Sequence, residues 1–183
     1  STFPLKETMS TSSPLSFYAA SKKSTEVISH SYSYIYKIPI TCLRFFTVYG
    51  PYGRPDMALF KFVKNIFSNK SINLFNFGNH HRDFTYVKDV ANSIEKIINN
   101  PPKNNIPFAI YNVGSNNPIS LKKFISLIEN QLQKKAKIKK IKMQKGDIKK
   151  THADNRKLAK KINYSPKVSA NQGIKEFVEW FMK

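Results

Sequence analysis

The sequence predicts an α/β protein, and three observations carry that prediction. Apolar residues recur at strand spacing and at helix spacing in alternating segments. Pro, Gly, Asn and Ser punctuate the boundaries between those segments. No internal repeat or linker divides the 183 residues, and a 40% hydrophobic content with 13% aromatics is ample for a core.

Residues 1–13 read as a Ser/Thr-rich loop. Ser13 and Pro14 suit the N-cap and first turn of a helix reaching Tyr36, with Val27, Ile28, Tyr32 and Ile35 at core spacing. Pro39 follows, then a short strand from Ile40 to Phe46, and the loop GPYGRP. A helix from Met57 to Ser68 turns Leu59, Phe60, Val63 and Phe67 inward, and a strand is expected at Ile72–Phe75. Arg82–Val87 is extended and Lys88–Asn99 helical, with Val90, Ile94, Ile97 and Ile98 on one face, until Pro101-Pro102 ends it. A strand at Ile110–Val113 precedes a helix capped by Ser120, which carries Phe124, Ile125, Leu127, Ile128 and Leu132. Residues 136–143 form an edge strand guarded by Lys. Asp154 suits the cap of a short helix to Lys161, and Ser169 with Gln172 makes a capping box opening the helix that ends near Met182.

Composition narrows the function. The single Cys42 excludes an internal disulfide, and no apolar run reaches a membrane-spanning length. With no charged-then-apolar leader either, a soluble, cytoplasmic protein is expected. The balance of 31 Lys+Arg against 11 Asp+Glu gives a net charge of +20, which favours an acidic partner. Arg, the side chain that forks onto guanine and phosphate, stands only at positions 44, 54, 82 and 156. Aromatics sit at core spacing, so a basic nucleic-acid-binding module is the rival reading and a phosphorylated small molecule the preferred one. His30, His80, His81 and His152 have no ligand spacing with Cys42 or with carboxylates, and no metal is expected. The adjacent pair His80-His81 points apart on extended chain and is read as a solvated turn.

Tyr18-Ala19-Ala20-Ser21-Lys22 is the first constellation with chemical meaning. Residues four apart on a helix share a face, so a phenol and an ammonium meet the same bound molecule. A tyrosine titrates near about 10, and a fixed positive charge beside it stabilises the phenolate a base requires. Pro14–Lys22 is followed by Leu43-Arg44-Phe45-Phe46-Thr47-Val48-Tyr49-Gly50-Pro51 and by Arg82-Asp83-Phe84-Thr85-Tyr86-Val87. In this order they resemble the extended short-chain dehydrogenase/reductase family of nucleotide-sugar epimerases. Gly53-Arg54-Pro55-Asp56-Met57-Ala58 and Met143-Gln144-Lys145-Gly146-Asp147 are most similar to its UDP-glucuronate 4-epimerase branch.

That resemblance implies the C-terminal part of a Rossmann-type parallel sheet plus the small α/β substrate-binding domain. Residues 1–56 would be a remnant of the NAD-binding domain and 57–183 the UDP-sugar-binding region. It implies NAD as cofactor and epimerisation at C4 of a UDP-sugar, most simply UDP-glucuronate to UDP-galacturonate for surface polysaccharide. Tyr18 and Lys22 are implied as catalytic and cofactor-binding, and Phe45 and Val48 as further cofactor contacts. Thr47 and Arg54 are implied at the sugar carboxylate, Arg82 at the diphosphate, Asn76 and Phe77 at the uracil, and Gln144 and Asp147 at the ribose. Relatives open with a Gly-rich turn, whereas the six glycines here are isolated. The resemblance therefore implies half of an epimerase, weakly active or inactive alone. A non-catalytic UDP-sugar-binding fragment, a half of a split enzyme with a separate Rossmann partner, a homodimer and another UDP-hexose epimerase stay open.

Overall fold

The computed structural model describes residues 2–144 and 146–183; Lys145 of the Met143–Asp147 motif lies outside them. Helix α1 (Phe17–Tyr36) starts at Ser16, whose hydroxyl accepts from the Ala19 N–H at 3.2 Å. The cap therefore falls three residues later than Ser13-Pro14 suggests, because Ser16 is extended and its hydroxyl reaches the first free N–H. Strand β1 (Ile40–Phe45) follows, and after Phe46 the chain continues as β2 (Thr47–Tyr49). Then come α2 (Ala58–Phe67), β3 (Ser71–Leu74), a 3₁₀ turn (Phe75–Gly78), β4 (His81–Arg82), β5 (Phe84–Tyr86) and α3 (Val87–Ile98). The remainder is β6 (Phe108–Val113), β7 (Ile119–Ser120), α4 (Leu121–Leu132), β8 (Lys137–Lys140), α5 (Arg156–Ile162) and α6 (Ala170–Phe181).

The strands pair as the α/β prediction requires. β1 runs parallel to β6 with Ile40 opposite Phe108, and β2 parallel to β5 with Thr47 opposite Phe84. At Phe46 the chain changes partners: the Phe46 N–H donates to Val113 O and the Thr47 N–H to Asp83 O, both at 3.1 Å. β3 pairs parallel with β8, whose residues are all exposed and mostly Lys, and β4 pairs antiparallel with β7. Ligands in parallel sheets collect where strands change partners, and Thr47 stands at that point.

One apolar core is built from α2, α4, α6 and the β2–β5 pair, with Val63, Phe124, Ile128 and Ile174 at 0% exposure. A second lies between α3, α5 and β6, around Val113 and Leu158. Two assignments shift by a fraction of a helical turn: Phe62 and Ile66 are buried in place of Phe67, and Ile98 faces solvent. The stripe of α1 differs more. Val27, Ile28, Tyr32 and Ile35 are 54–64% exposed, while α1 rests on β1 and β6 through Ser33, Glu26 and His30. Periodicity located the stripe but not its cover. The Ser169 hydroxyl accepts from the Gln172 N–H at 3.2 Å, yet the Gln172 amide donates to Glu176, so only half of the capping box forms. Asn155, not Asp154, is the N-cap of α5; Asp154 Oδ1 accepts from the Arg156 N–H at 3.1 Å.

Asp83, at 0% exposure, holds the layers together. Its carboxylate accepts from the backbone N–H groups of Ser115, Asn116 and Ala153 and from the Ser115 hydroxyl, at 2.7–3.1 Å. A buried carboxylate with four donors is fully satisfied. Gly114 lets Ala153 approach so closely that any Cβ there would collide with it.

Candidate functional site

Two clefts meet on the side of the molecule where β1 passes into β2. The first, about 530 Å³, lies between α2, β3 and the His80–Arg82 segment; Arg82, His80, Asp147 and Phe75 line it. The second, about 700 Å³, lies under the start of α1, and its walls include Ala19, Lys22, Arg44 and Phe45. Thr47 and Met57 belong to both. A ligand crossing from one cleft to the other therefore passes Thr47.

In the first cleft, Arg82 and His80 both approach the Asp147 carboxylate. Arg82 Nη2 donates to Asp147 Oδ1 at 2.9 Å, and its side chain is only 18% exposed. Burial pulls the Arg82 guanidinium below its ordinary value, and Asp147 opposes that pull. The Asp147 carboxylate also caps its own loop, accepting from the Ile148 N–H at 2.8 Å. His80 Nε2 sits 3.1 Å from Asp147 Oδ2, yet it is buried and has no hydrogen-bond partner among the described residues. The solvated-turn reading of the histidine pair is thus corrected for His80, which is 3% exposed; His81 is exposed and uses its backbone to pair with Lys149 and Thr151. Alternation along the extended chain carries the signal: if His81 faces water, His80 faces inward.

At the second cleft, the Tyr18 ring and the Lys22 ammonium lie on one face of α1, with Nζ 5.5 Å from the ring centroid. Tyr18 is 72% exposed and lines neither cleft, whereas Lys22 lines the wall of the second. The helix is held in place from below. Arg44 on β1 forks onto Glu26, Nε to Oε1 at 2.6 Å and Nη2 to Oε2 at 2.8 Å, and its third nitrogen donates to Glu7 O. Hydrogen bonding to Arg44 holds the Glu26 carboxyl below its usual range. The sequence places Arg44 in the Leu43–Pro51 motif but does not reveal Glu26 as its bidentate partner.

Other expected site residues lie elsewhere. The Val48 side chain packs against the second core and lines neither cleft, because β2 alternates and Thr47 takes the cleft face. Arg54 is at the exposed rim with its fork on Asp56, at 3.0 and 2.6 Å, and Asp56, not Arg54, lines the first cleft. Asn76 and Phe77 stand just beyond the cleft wall that Phe75 supplies. Both have positive φ, at 48° and 53°; the Asn76 amide donates to Asn79 O, and the Phe77 N–H is engaged by Ile141 O. Gln144 is exposed and joins the site only through its carbonyl, which accepts from the Asp147 N–H at 3.3 Å. Among the described residues no group of three His, Cys, Asp or Glu is placed to hold a metal, and no helix is long and apolar enough to cross a membrane.

The arrangement has counterparts among known proteins. The family described as GDP-mannose 4,6 dehydratase matches residues 1–177. Protein CapI of Staphylococcus aureus is 42% identical over 184 residues, covering 93% of this chain and 55% of CapI. The UDP-glucuronate 4-epimerase of Thermodesulfobacterium geofontis is 40% identical over 178 residues, 97% of this chain and 54% of that enzyme. Among solved structures, the UDP-glucuronic acid 4-epimerase of Bacillus cereus, in complex with UDP-glucuronic acid and NAD, superposes with a TM-score of 0.92 at 33% identity. That superposition covers 100% of this chain and 57% of the Bacillus chain, so the chain spans about half the length of the relatives it matches. The α/β architecture is the C-terminal part of a Rossmann-type fold, and the chain belongs to the GDP-mannose 4,6 dehydratase family within the extended short-chain dehydrogenases/reductases.

Proposed function

We propose that this chain provides the UDP-sugar site and the tyrosine–lysine pair of an NAD-dependent C4 epimerase acting on UDP-glucuronate and UDP-galacturonate. The supporting observation is the junction of the two clefts at Thr47, which places Lys22 and the Arg82–Asp147 pair at opposite ends of one path. Arg82 holds the diphosphate as a planar fork in a partly desolvated wall. Asp147 accepts from the ribose hydroxyls. The Thr47 hydroxyl, without a partner among the described residues, donates to the sugar carboxylate, with Arg54 at the rim contributing positive charge. Residues 1–56 serve the cofactor side and 57–183 the UDP-sugar side.

The second cleft suits the nicotinamide-ribose end of NAD: Lys22 supplies a donor to hydroxyls, and the half-exposed Phe45 face supplies an apolar wall. When bound there, NAD supplies the acceptor and donor for the hydride at C4. Tyr18 Oη takes the proton of the sugar 4-hydroxyl and later returns it to O4 of the 4-keto sugar, which by then presents its opposite face. The Lys22 ammonium stabilises the phenolate that forms. Arg82 and Thr47 keep nucleotide and carboxylate fixed while the ring turns between them.

Binding is the direct test. Calorimetric titration is expected to show UDP-glucuronate binding that Arg82→Ala weakens by about 2–3 kcal/mol, the worth of a charge-assisted contact. Tight duplex-DNA binding with a steep salt slope, and none to UDP-sugars, would establish the nucleic-acid reading instead.

A further inference from the structure

His80 carries an unused polar atom into the first cleft. The ring is 3% exposed and its Nε2 has no hydrogen bond among the described residues, although Asp147 Oδ2 lies 3.1 Å away. Asp147 meanwhile gives its other oxygen to Arg82. If Arg82 turns to a diphosphate, as the proposed function requires, the acid loses that cation, and among the described residues His80 stands next to it at 3.1 Å. The charged groups facing the imidazole are Arg82 from β4 and Asp147 from the loop after β8. Lys61 of α2 and Asp56 before it stand across the cleft, and Lys122 of α4 lies beside Gly78. The backbone of Phe75 in the 3₁₀ turn also favours the charged ring. A ring that donates to Asp147 from Nε2 while Nδ1 keeps its own proton is an imidazolium.

We propose that His80 is the positioning residue for Asp147: as Arg82 transfers to the ligand diphosphate, His80 takes a proton on Nε2 and holds the carboxylate toward the ribose. The idea rests on the UDP-sugar reading of the cleft. In the free chain, burial first and Arg82 second hold the imidazole below its usual value, and Asp147 opposes them. Displacement of Arg82 removes one of those restraints and leaves Asp147 to favour the charged ring.

UDP-glucose is the probe, because its diphosphate diester exchanges no proton near neutrality. Titrations in two buffers of different ionisation enthalpy at about pH 7 are expected to show uptake of a fraction up to about one proton per UDP-glucose bound, since His is the side chain that titrates there. His80→Gln, which keeps a donor, is expected to bind UDP-glucose with no uptake. His80→Met is expected to bind roughly tenfold more weakly, the loss of a hydrogen bond to a charged group, and 2′,3′-dideoxy-UDP-glucose is expected to abolish that difference. Equal uptake in wild type and His80→Gln overturns the proposal, as does a His80→Met penalty that persists with the dideoxy ligand.

A ligand-free measurement separates the two readings. In Arg82→Gln, NMR titration of the His80 ring is expected to show protonation at higher pH, and adding Asp147→Asn should reverse this more strongly than it acts in wild type. If that coupling is present while UDP-glucose fails to bind, the function falls and the His80–Asp147 exchange stands. If the ring titrates indifferently to Asp147 in both backgrounds, the exchange is wrong whatever binds.

Discussion

Replacing Thr47 with Val tests the junction between the clefts. Thr47 is anchored by its backbone, through Asp83 O and its register with Phe84. Among the described residues, its hydroxyl has no partner within the chain. Valine keeps the β-branched shape that suits a strand, so the fold should lose less than about 0.5 kcal/mol. A donor lost to a carboxylate costs about 1.5–3 kcal/mol, which corresponds to roughly 10- to 150-fold in affinity. The assay is calorimetric titration of wild type and Thr47→Val with UDP-glucuronate and with UDP-glucose. The uronate is expected to lose affinity within that range, and the neutral sugar less than about threefold. Equal losses for the two sugars would refute the assignment of this hydroxyl to the sugar carboxylate.

Two further expectations concern the scaffold. Glu26→Gln leaves Arg44 without its carboxylate, and the side chains are 14% and 21% exposed; the cost should fall between exposed and buried pairs, about 1–3 kcal/mol by denaturant unfolding. Because Glu26 is held below its usual value in the fold, its contribution is present above the unfolded value near about 4.3 and fades as pH falls through the folded one. The gap between variant and wild type should accordingly close in acid. Gly173→Ala in α6 should destabilise by about 1–3 kcal/mol despite the usual helical gain of Ala over Gly. The added Cβ would sit 2.7 Å from Tyr86 Cδ2 and collide with the Tyr49 hydroxyl, both in the core. An increase in melting temperature would contradict that packing.

Much of the molecule was legible because the signals were local. The alternation of apolar segments located the elements within a few residues, and Ser120 and Ser169 announced their helices through hydroxyls that do accept the first N–H groups. The Tyr18–Lys22 spacing needed only a helix to bring phenol and ammonium together. Pairing across long separations was harder to read. Nothing near position 44 announces Glu26, 18 residues earlier, as its partner. The burial of His80, just before β4, depends on which side of that extended chain the rest of the fold covers. Val48 went to the core for the same reason: one step along a strand reverses the side-chain direction. The apolar stripe of α1 shows the converse limit, since period alone states that a face is greasy and not what lies against it.

The central claim is that one UDP-sugar spans both clefts, and a crystal structure with UDP-glucuronate bound tests it most directly. The account predicts the diphosphate on the Arg82 guanidinium, the carboxylate at the Thr47 hydroxyl, and C4 of the sugar turned toward the Tyr18 phenol. A nucleotide bound away from Arg82, or a hexuronate that never reaches the opening shared by Thr47 and Met57, would contradict it.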